Sequence, residues 1–277
     1  MKTLALYNIK GGVGKTATSV NLAYLAAASG LRTLLWDLDP QGAATFYFRV
    51  RAKLKGGAHR LAHGKTDLDS SIRGSDYENL DIIPADFSYR NLDLELGEAK
   101  KPTRRLARLL KPLRKQYDML IIDCAPSISL VSEGVFEATD ALLIPTIPTP
   151  LSLNTLAQLT RHLRKEDSRL RLIPFFCMVD RRKALHRKIC DDPQRDQIGF
   201  AKTAIPYSSQ VEQMGVNRAP LPATAPGGRM TRAYAQLWNE AIARLDEPVS
   251  GRLPAPKKVR KMMQPRNTGT EADSTEK

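Results

Sequence analysis

The chain has 277 residues, enough for one large domain or two small ones, and its 42% hydrophobic and 26% charged content excludes a wholly disordered protein. No stretch reaches the roughly 18 consecutive apolar residues of a membrane helix, and the short apolar start Met1 to Ile9 runs into Lys10-Gly-Gly rather than a small-residue cleavage site. The charge is not ordinary: 43 Lys+Arg against 29 Asp+Glu leave +14, which predicts attraction to polyanions such as nucleic acid or an anionic membrane surface. Cys124, Cys177 and Cys190 are too few and too scattered for a disulfide framework and read as reduced thiols of a cytoplasmic protein.

In chain order, Thr3 to Asn8 reads as a buried strand that ends in glycines. Lys15 to Ser29 reads as a helix capped by Gly30, and Arg32 to Trp36 as a second buried strand ending at Asp37-Leu-Asp39-Pro40. Strand, glycine turn, helix and strand within forty residues form a βαβ unit and imply a parallel sheet. Further strands are expected at 79–84, 119–123, 141–144 and 170–178, with helices over 103–115, 151–165 and 229–245. The fold class is therefore α/β, a mostly parallel twisted sheet flanked by helices, in one domain over 1–247. The Pro-containing basic stretch 248–277 is expected to be a disordered tail. With the first strand at residue 3, no N-terminal helix-turn-helix is expected. His59 and His63 stand four apart, but Gly56, Gly57 and Gly64 around them predict a loop, and no histidine is assigned a role.

Lys10-Gly-Gly-Val-Gly-Lys-Thr16 lies between a strand and a helix, the setting a phosphate-binding loop requires. Its glycines let consecutive N–H groups face phosphate oxygens, and the helix adds its positive end. Lys15 supplies a full charge near the β- and γ-phosphates, and the Thr16 hydroxyl is placed to ligate Mg²⁺. The pattern departs from G-x-x-x-x-G-K-[ST] at its first position, Ile9, and carries an extra lysine at Lys10. Asp123 ends a buried apolar strand, from which a carboxylate holds the Mg²⁺ shell. Asp37 and Asp39 follow the second strand on the same sheet edge, where an acid can orient the attacking water; the alternative is a turn or helix cap. No guanine-reading Asn/Thr-Lys-x-Asp motif occurs, which points to adenine, hence ATP.

Lys10-Gly-Gly-Val-Gly-Lys-Thr, Asp37-Leu-Asp-Pro-Gln-Gly42 and Ile121-Ile-Asp-Cys-Ala-Pro-Ser127 resemble, in order and spacing, the deviant Walker-type ATPases of the ParA/Soj/MinD group, over about residues 1–245. The acidic motif is closer to the ParA/Soj partition branch, and the compact start resembles the small ParA type without a DNA-reading domain. The resemblance implies that Gly11, Gly12, Val13, Gly14 and Ala17 join Lys10, Lys15 and Thr16 in binding ATP. It implies that Lys10 is the signature lysine reaching the partner's nucleotide in a homodimer, that Asp39 positions water and that Asp123 is the Walker B acid. It further implies slow ATP hydrolysis stimulated by a ParB-like partner, sequence-independent DNA binding by the ATP-bound dimer, and a nucleoid-associated protein. Ala17 stands where the family often has a second Thr, Ala125 replaces a commoner Pro, and 49–78 matches less well.

Basic residues cluster in three places: eight without an acid between Lys100 and Lys115, ten between Arg161 and Lys188, and six between Arg252 and Arg266. Such clusters give salt-dependent, sequence-independent affinity for phosphates, or serve as solvated helix faces. By position, Arg181, Arg182, Lys183, Arg187 and Lys188 resemble the region where ParA-type proteins contact DNA. Other readings stay open at this point. One is a MinD-like membrane-surface ATPase, not favoured because Pro256 and Pro265 bracket the short basic segment 257–263. Another is a metabolic enzyme on the same loop, an iron–sulfur reductase component or an ATP-dependent synthetase. A third is a ParA-like positioner of a protein cargo.

Overall fold

The structure, a computed structural model, describes residues 1–52, 54, 56–65, 68–165, 170–247 and 256–262. Its strands are β1 (Lys2–Leu6), β2 (Thr33–Asp37), β3 (Arg73–Gly74), β4 (Leu80–Ile83), β5 (Met119–Asp123), β6 (Ala141–Thr146), β7 (Arg171–Val179) and β8 (Ala204–Pro206). They form one sheet in the order β3-β4-β2-β5-β1-β6-β7-β8, parallel throughout except for the β3–β4 edge pair. The six stretches read as strands all form. The two short edge strands lack the long apolar run that betrays a buried strand.

The helices are α1 (Lys15–Ala28), α2 (Ala43–Tyr47), α3 (Gly57–Ala62), α4 (Leu92–Gly97), α5 (Arg105–Leu110), α6 (Leu130–Ala138) and α7 (Pro150–Lys165). Beyond β7 follow α8 (Ala184–Cys190), α9 (Gln194–Ile198), α10 (Ser209–Asn217), α11 (Leu221–Thr224), α12 (Arg229–Asp246) and α13 (Pro256–Lys261). Helices cover both faces of the sheet, so the strands bury on both sides and read as continuous apolar runs. Leu4, Leu6, Leu35, Ile121 and Leu143 face α1 and α12 through Val20, Ala23, Tyr234 and Leu237. Their alternating neighbours Ala5, Tyr7, Trp36, Ile122 and Ile144 face Leu96, Leu106, Val135 and Leu156 of α4 to α7. β1 lies centrally between β5 and β6, where the chain's strand order reverses, so the loop after it opens at the position where parallel sheets receive ligands.

Three expectations need correcting. The helix expected over 103–115 is a single α-helix only in α5, with 3₁₀ turns at Pro102–Arg104 and Pro112–Lys115. Pro112 has no N–H to donate and its ring crowds the preceding turn, so the apolar stripe of Leu106, Leu110 and Leu113 is kept while the helix is broken. Residues 57–62, expected as a loop, form α3, with the flanking Gly56 acting as its N-cap in a left-handed conformation. Within the stretch expected to be a disordered tail, 256–262 form a helical segment whose Val259 and Met262 are buried against α7 and α9. Residues 248–255 and 263–277 of that expectation lie outside the described residues.

Candidate functional site: the phosphate loop and its acids

Residues 8–14 run from the end of β1 to the start of α1 at the carboxyl edge of the sheet. Asn8 pins the loop at both ends of its amide. Its Nδ2 donates to the Pro145 carbonyl at the end of β6 (2.8 Å), and its Oδ1 accepts from the Lys10 N–H (2.9 Å). Gly14 caps α1 with φ +93, and a Cβ there would come within 2.9 Å of Cys177 Sγ on β7. Only glycine satisfies both the left-handed backbone and the close approach. Burial pushes the Cys177 thiol up to about 12, and burial also raises that of Cys124, so both are packing groups rather than reactive thiols.

Lys15 is buried, and its Nζ donates to the Lys10 carbonyl (3.2 Å), folding the loop over the lysine. Burial depresses the Lys15 pKa, while the nearby carboxylates of Asp123 and Asp39 act to restore it. Lys10 and Thr16 are partly exposed, Gly11 and Gly12 exposed, and Val13 and Ala17 buried. The structure thus brings Lys10 through Ala17 into one open turn, with its two lysines on opposite sides of the solvent boundary.

Parallel register places Asp123 beside Leu6 on one side and Asp37 on the other. The two acids divide by their partners. Asp37 is fully engaged: Oδ2 accepts from the Thr45 N–H (2.8 Å) and hydroxyl (2.7 Å), and Oδ1 from the Asp39 N–H (3.2 Å). It anchors α2 and the turn that carries Asp39. Asp39 is partly exposed, and its Oδ1 accepts from the Gln41 N–H (2.9 Å), which fixes the turn. Asp123 Oδ1 accepts from the Ser19 hydroxyl (2.9 Å), while Oδ2 is buried without a hydrogen-bond partner among the described residues. Burial, then the neighbouring Asp37 charge, raises the Asp123 pKa against the opposing pull of the Thr16 and Ser19 hydroxyls. Burial likewise raises Asp37. A buried carboxylate oxygen without a donor, next to a threonine hydroxyl and a second acid, is a donor set that fits a hard divalent cation. Sequence reasoning missed Asn8, Ser19 and Thr45. The signal was there for Asn8 and Ser19, which are polar positions in otherwise apolar or small-residue runs; Thr45 becomes legible only through the fold.

The chain's own sequence places the site in a family. A family described as AAA domain (AAA_31) matches residues 1–172. The sporulation initiation inhibitor protein Soj of Bacillus subtilis is 32% identical over 87% of this chain and 98% of its own length. The chain belongs to the ParA/Soj family of partition ATPases. The chromosome partitioning protein ParA of Caulobacter vibrioides is 31% identical over 69% of this chain and 75% of its own. A Borrelia burgdorferi plasmid partition protein bound to AMPPNP superposes with a TM-score of 0.78 over 88% of this chain and 99% of that one, at 21% identity. At that identity the likeness shows the fold, and it is that of the ParA/MinD P-loop proteins.

In this ParA/Soj-family chain the five basic residues singled out near 181–188 follow β7, on the same sheet edge as the phosphate loop. They differ in what they do. Arg182 pairs with Asp180 through Nε (2.9 Å) and Nη2 (3.0 Å), and Arg181 with Asp191 (2.8 Å). Arg187 Nη1 donates to the Arg181 and Arg182 carbonyls (2.7 and 3.0 Å) and braces the loop. Lys183 and Lys188 are exposed and make no ion pair among the described residues.

Proposed function

We propose that the chain is an ATP-hydrolysing DNA partition protein. Its ATP-bound dimer holds duplex DNA without sequence preference, and a ParB-like partner stimulates hydrolysis and releases it. The observation that carries the reading is the convergence at one sheet edge of the 10–16 loop, buried Lys15, and Asp123, whose Oδ2 meets no donor among the described residues. In this reading the N–H groups of Gly11 to Thr16 and the Lys15 ammonium hold the phosphates of ATP. Thr16 and Asp123 hold Mg²⁺, which neutralises phosphate charge when bound. Asp39 orients the attacking water, and Asp37 keeps the Asp39 turn in place. Lys10, partly exposed at the loop's mouth, reaches toward the nucleotide of a second copy.

A dimer on this face is supported by its exposed apolar side chains. Ile128, Leu151, Leu185 and Tyr207 each follow one of β5 to β8 on the loop edge. DNA binding is supported by the net charge of +14 and by the basic segment after β7, where Lys183 and Lys188 make no ion pair among the described residues. Docking of Val259 and Met262 into the core removes those apolar residues from any membrane-facing surface of that helix. The cytoplasmic, nucleoid-bound location follows from DNA binding. The test is binding to non-specific duplex DNA with ATP, ADP or no nucleotide at two salt concentrations. Salt-sensitive binding with ATP alone is expected; equal binding in all three states would reduce the charge to a passive surface, and none would overturn the partition reading.

A further inference from the structure

The segment between the Asp39 turn and β4 carries two histidines that the phosphate-loop reading leaves unused. His59 lies in α3 and His63 caps its C-terminus, so the i,i+4 spacing sets both rings on one side of the same turn. Their ring centroids are 4.4 Å apart. Glu95 of α4 meets them: its Oε2 is 2.8 Å from His59 Nδ1 and 4.0 Å from His63 Nδ1. One ligand atom from each of the three residues lies within 4.8 Å of the other two.

Two imidazoles and one carboxylate, with a water completing the shell, are a zinc-type donor set. Metal bonds of about 2.0–2.1 Å in a tetrahedron hold ligand atoms about 3.3 Å apart. The observed 2.8 and 4.0 Å from Glu95 lie on either side of that spacing, and the two imidazole ligand atoms lie within 4.8 Å of each other, so the side chains close on an ion by rotating toward it. His63 Nδ1 also lies 2.9 Å from the His59 carbonyl, a hydrogen bond that a cation at this nitrogen would replace. The two halves of the cluster are tied together independently of it. The Ala58 N–H donates to Ser88 Oγ (2.7 Å) and the Leu54 N–H to Asp86 Oδ2 (2.7 Å), which joins the α3 segment to the turn leading into α4. Ion access is open, since the His59 side chain is 60% exposed and those of His63 and Glu95 about a quarter.

We propose that His59, His63 and Glu95 form a site for a divalent transition-metal cation of the zinc class, which clamps α3 to α4. Its imidazole nitrogens separate it from the all-oxygen Asp123–Thr16 set, which favours Mg²⁺. The test titrates Zn²⁺ alone into chelator-stripped full chain in excess Mg²⁺, with calorimetry and a thermal melt, and repeats it with Co²⁺ read by visible absorption. One saturable site, a raised melting temperature and tetrahedral Co²⁺ bands are expected. His59→Ala and His63→Ala should each weaken binding by about tenfold or more, and Glu95→Gln should weaken it too, while the melt without metal and ATP binding report that each variant is folded. Absence of saturable Zn²⁺ binding would overturn the proposal and leave a His59–Glu95 hydrogen bond. So would unchanged affinity in folded His59→Ala and His63→Ala, which would put the metal elsewhere.

Discussion

At Gly14 a side chain meets two obstacles at once, a left-handed φ of +93 and the Cys177 sulfur 2.9 Å from where its Cβ would stand. Gly14→Ala is expected to cost about 1–3 kcal/mol of stability in thermal melts. Adding Cys177→Ala should recover the part due to contact and leave the part due to backbone strain. Lys15 is the other residue in an unusual environment. A buried ammonium held, among the described residues, by a carbonyl and more distant carboxylates is poised for a stronger anionic partner. Lys15→Ala should weaken ATP binding by about 10- to 100-fold, the worth of charge-assisted bonds, without loss of fold by circular dichroism. Lys10→Ala, by contrast, is expected to spare ATP binding by the monomer and abolish ATP-dependent dimerisation in sedimentation.

Elements are joined by a few polar clamps, and Glu240 of α12 is the clearest. Its carboxylate accepts from the Lys202 N–H (2.8 Å), the Thr203 N–H (3.0 Å) and Arg244 (2.8 Å), holding the entry to β8 against α12. Burial works against its charge, but the two N–H groups and the guanidinium outweigh it and keep the carboxyl below the usual glutamate range. A depressed folded pKa gives stability that is present above the unfolded value and lost as pH falls through the folded one. Glu240→Gln should therefore destabilise the chain by about 1–2 kcal/mol at neutral pH, with the gap to the parent closing below about pH 4. Docking of α13 makes a second element-scale prediction. Val259 is fully buried, so Val259→Asp should lower stability by about 2 kcal/mol or more; an unchanged melt would show that the segment does not contribute to the core.

For the molecule as a whole, what matters is that nucleotide loop, acids and basic segment share one edge of one sheet. The charge on that edge is less available than the residue count implies, because Arg181 and Arg182 are paired and Arg187 braces a turn. Reversing Arg182 and Arg187 would disturb the loop as well as its charge. Lys183→Ala and Lys188→Ala are the cleaner variants. Each lysine that touches a phosphate should lower the slope of log affinity against log salt by about 1 and weaken ATP-dependent DNA binding evenly across sequences. An unchanged slope in both would move the DNA contact to another basic cluster.

The fold class, the six long strands and the motifs that carry the family were legible in the chain itself. Backbone needs and burial leave residue-type signatures there: glycines where N–H groups must converge, apolar runs where both faces are covered. What only the tertiary structure decided concerns residues whose meaning depends on a neighbour far along the chain. Asp37 and Asp39 look alike in sequence, yet Thr45 takes one into the scaffold and leaves the other partly exposed on its turn. His59 and His63 are a bare spacing until Glu95 arrives from α4. A basic run shows its charge in the sequence, but Asp191, ten positions past Arg181, decides how much of it is free. Local propensity and periodicity act over a few residues, whereas pairing, burial and donor sets are fixed by which strands and helices the sheet brings side by side.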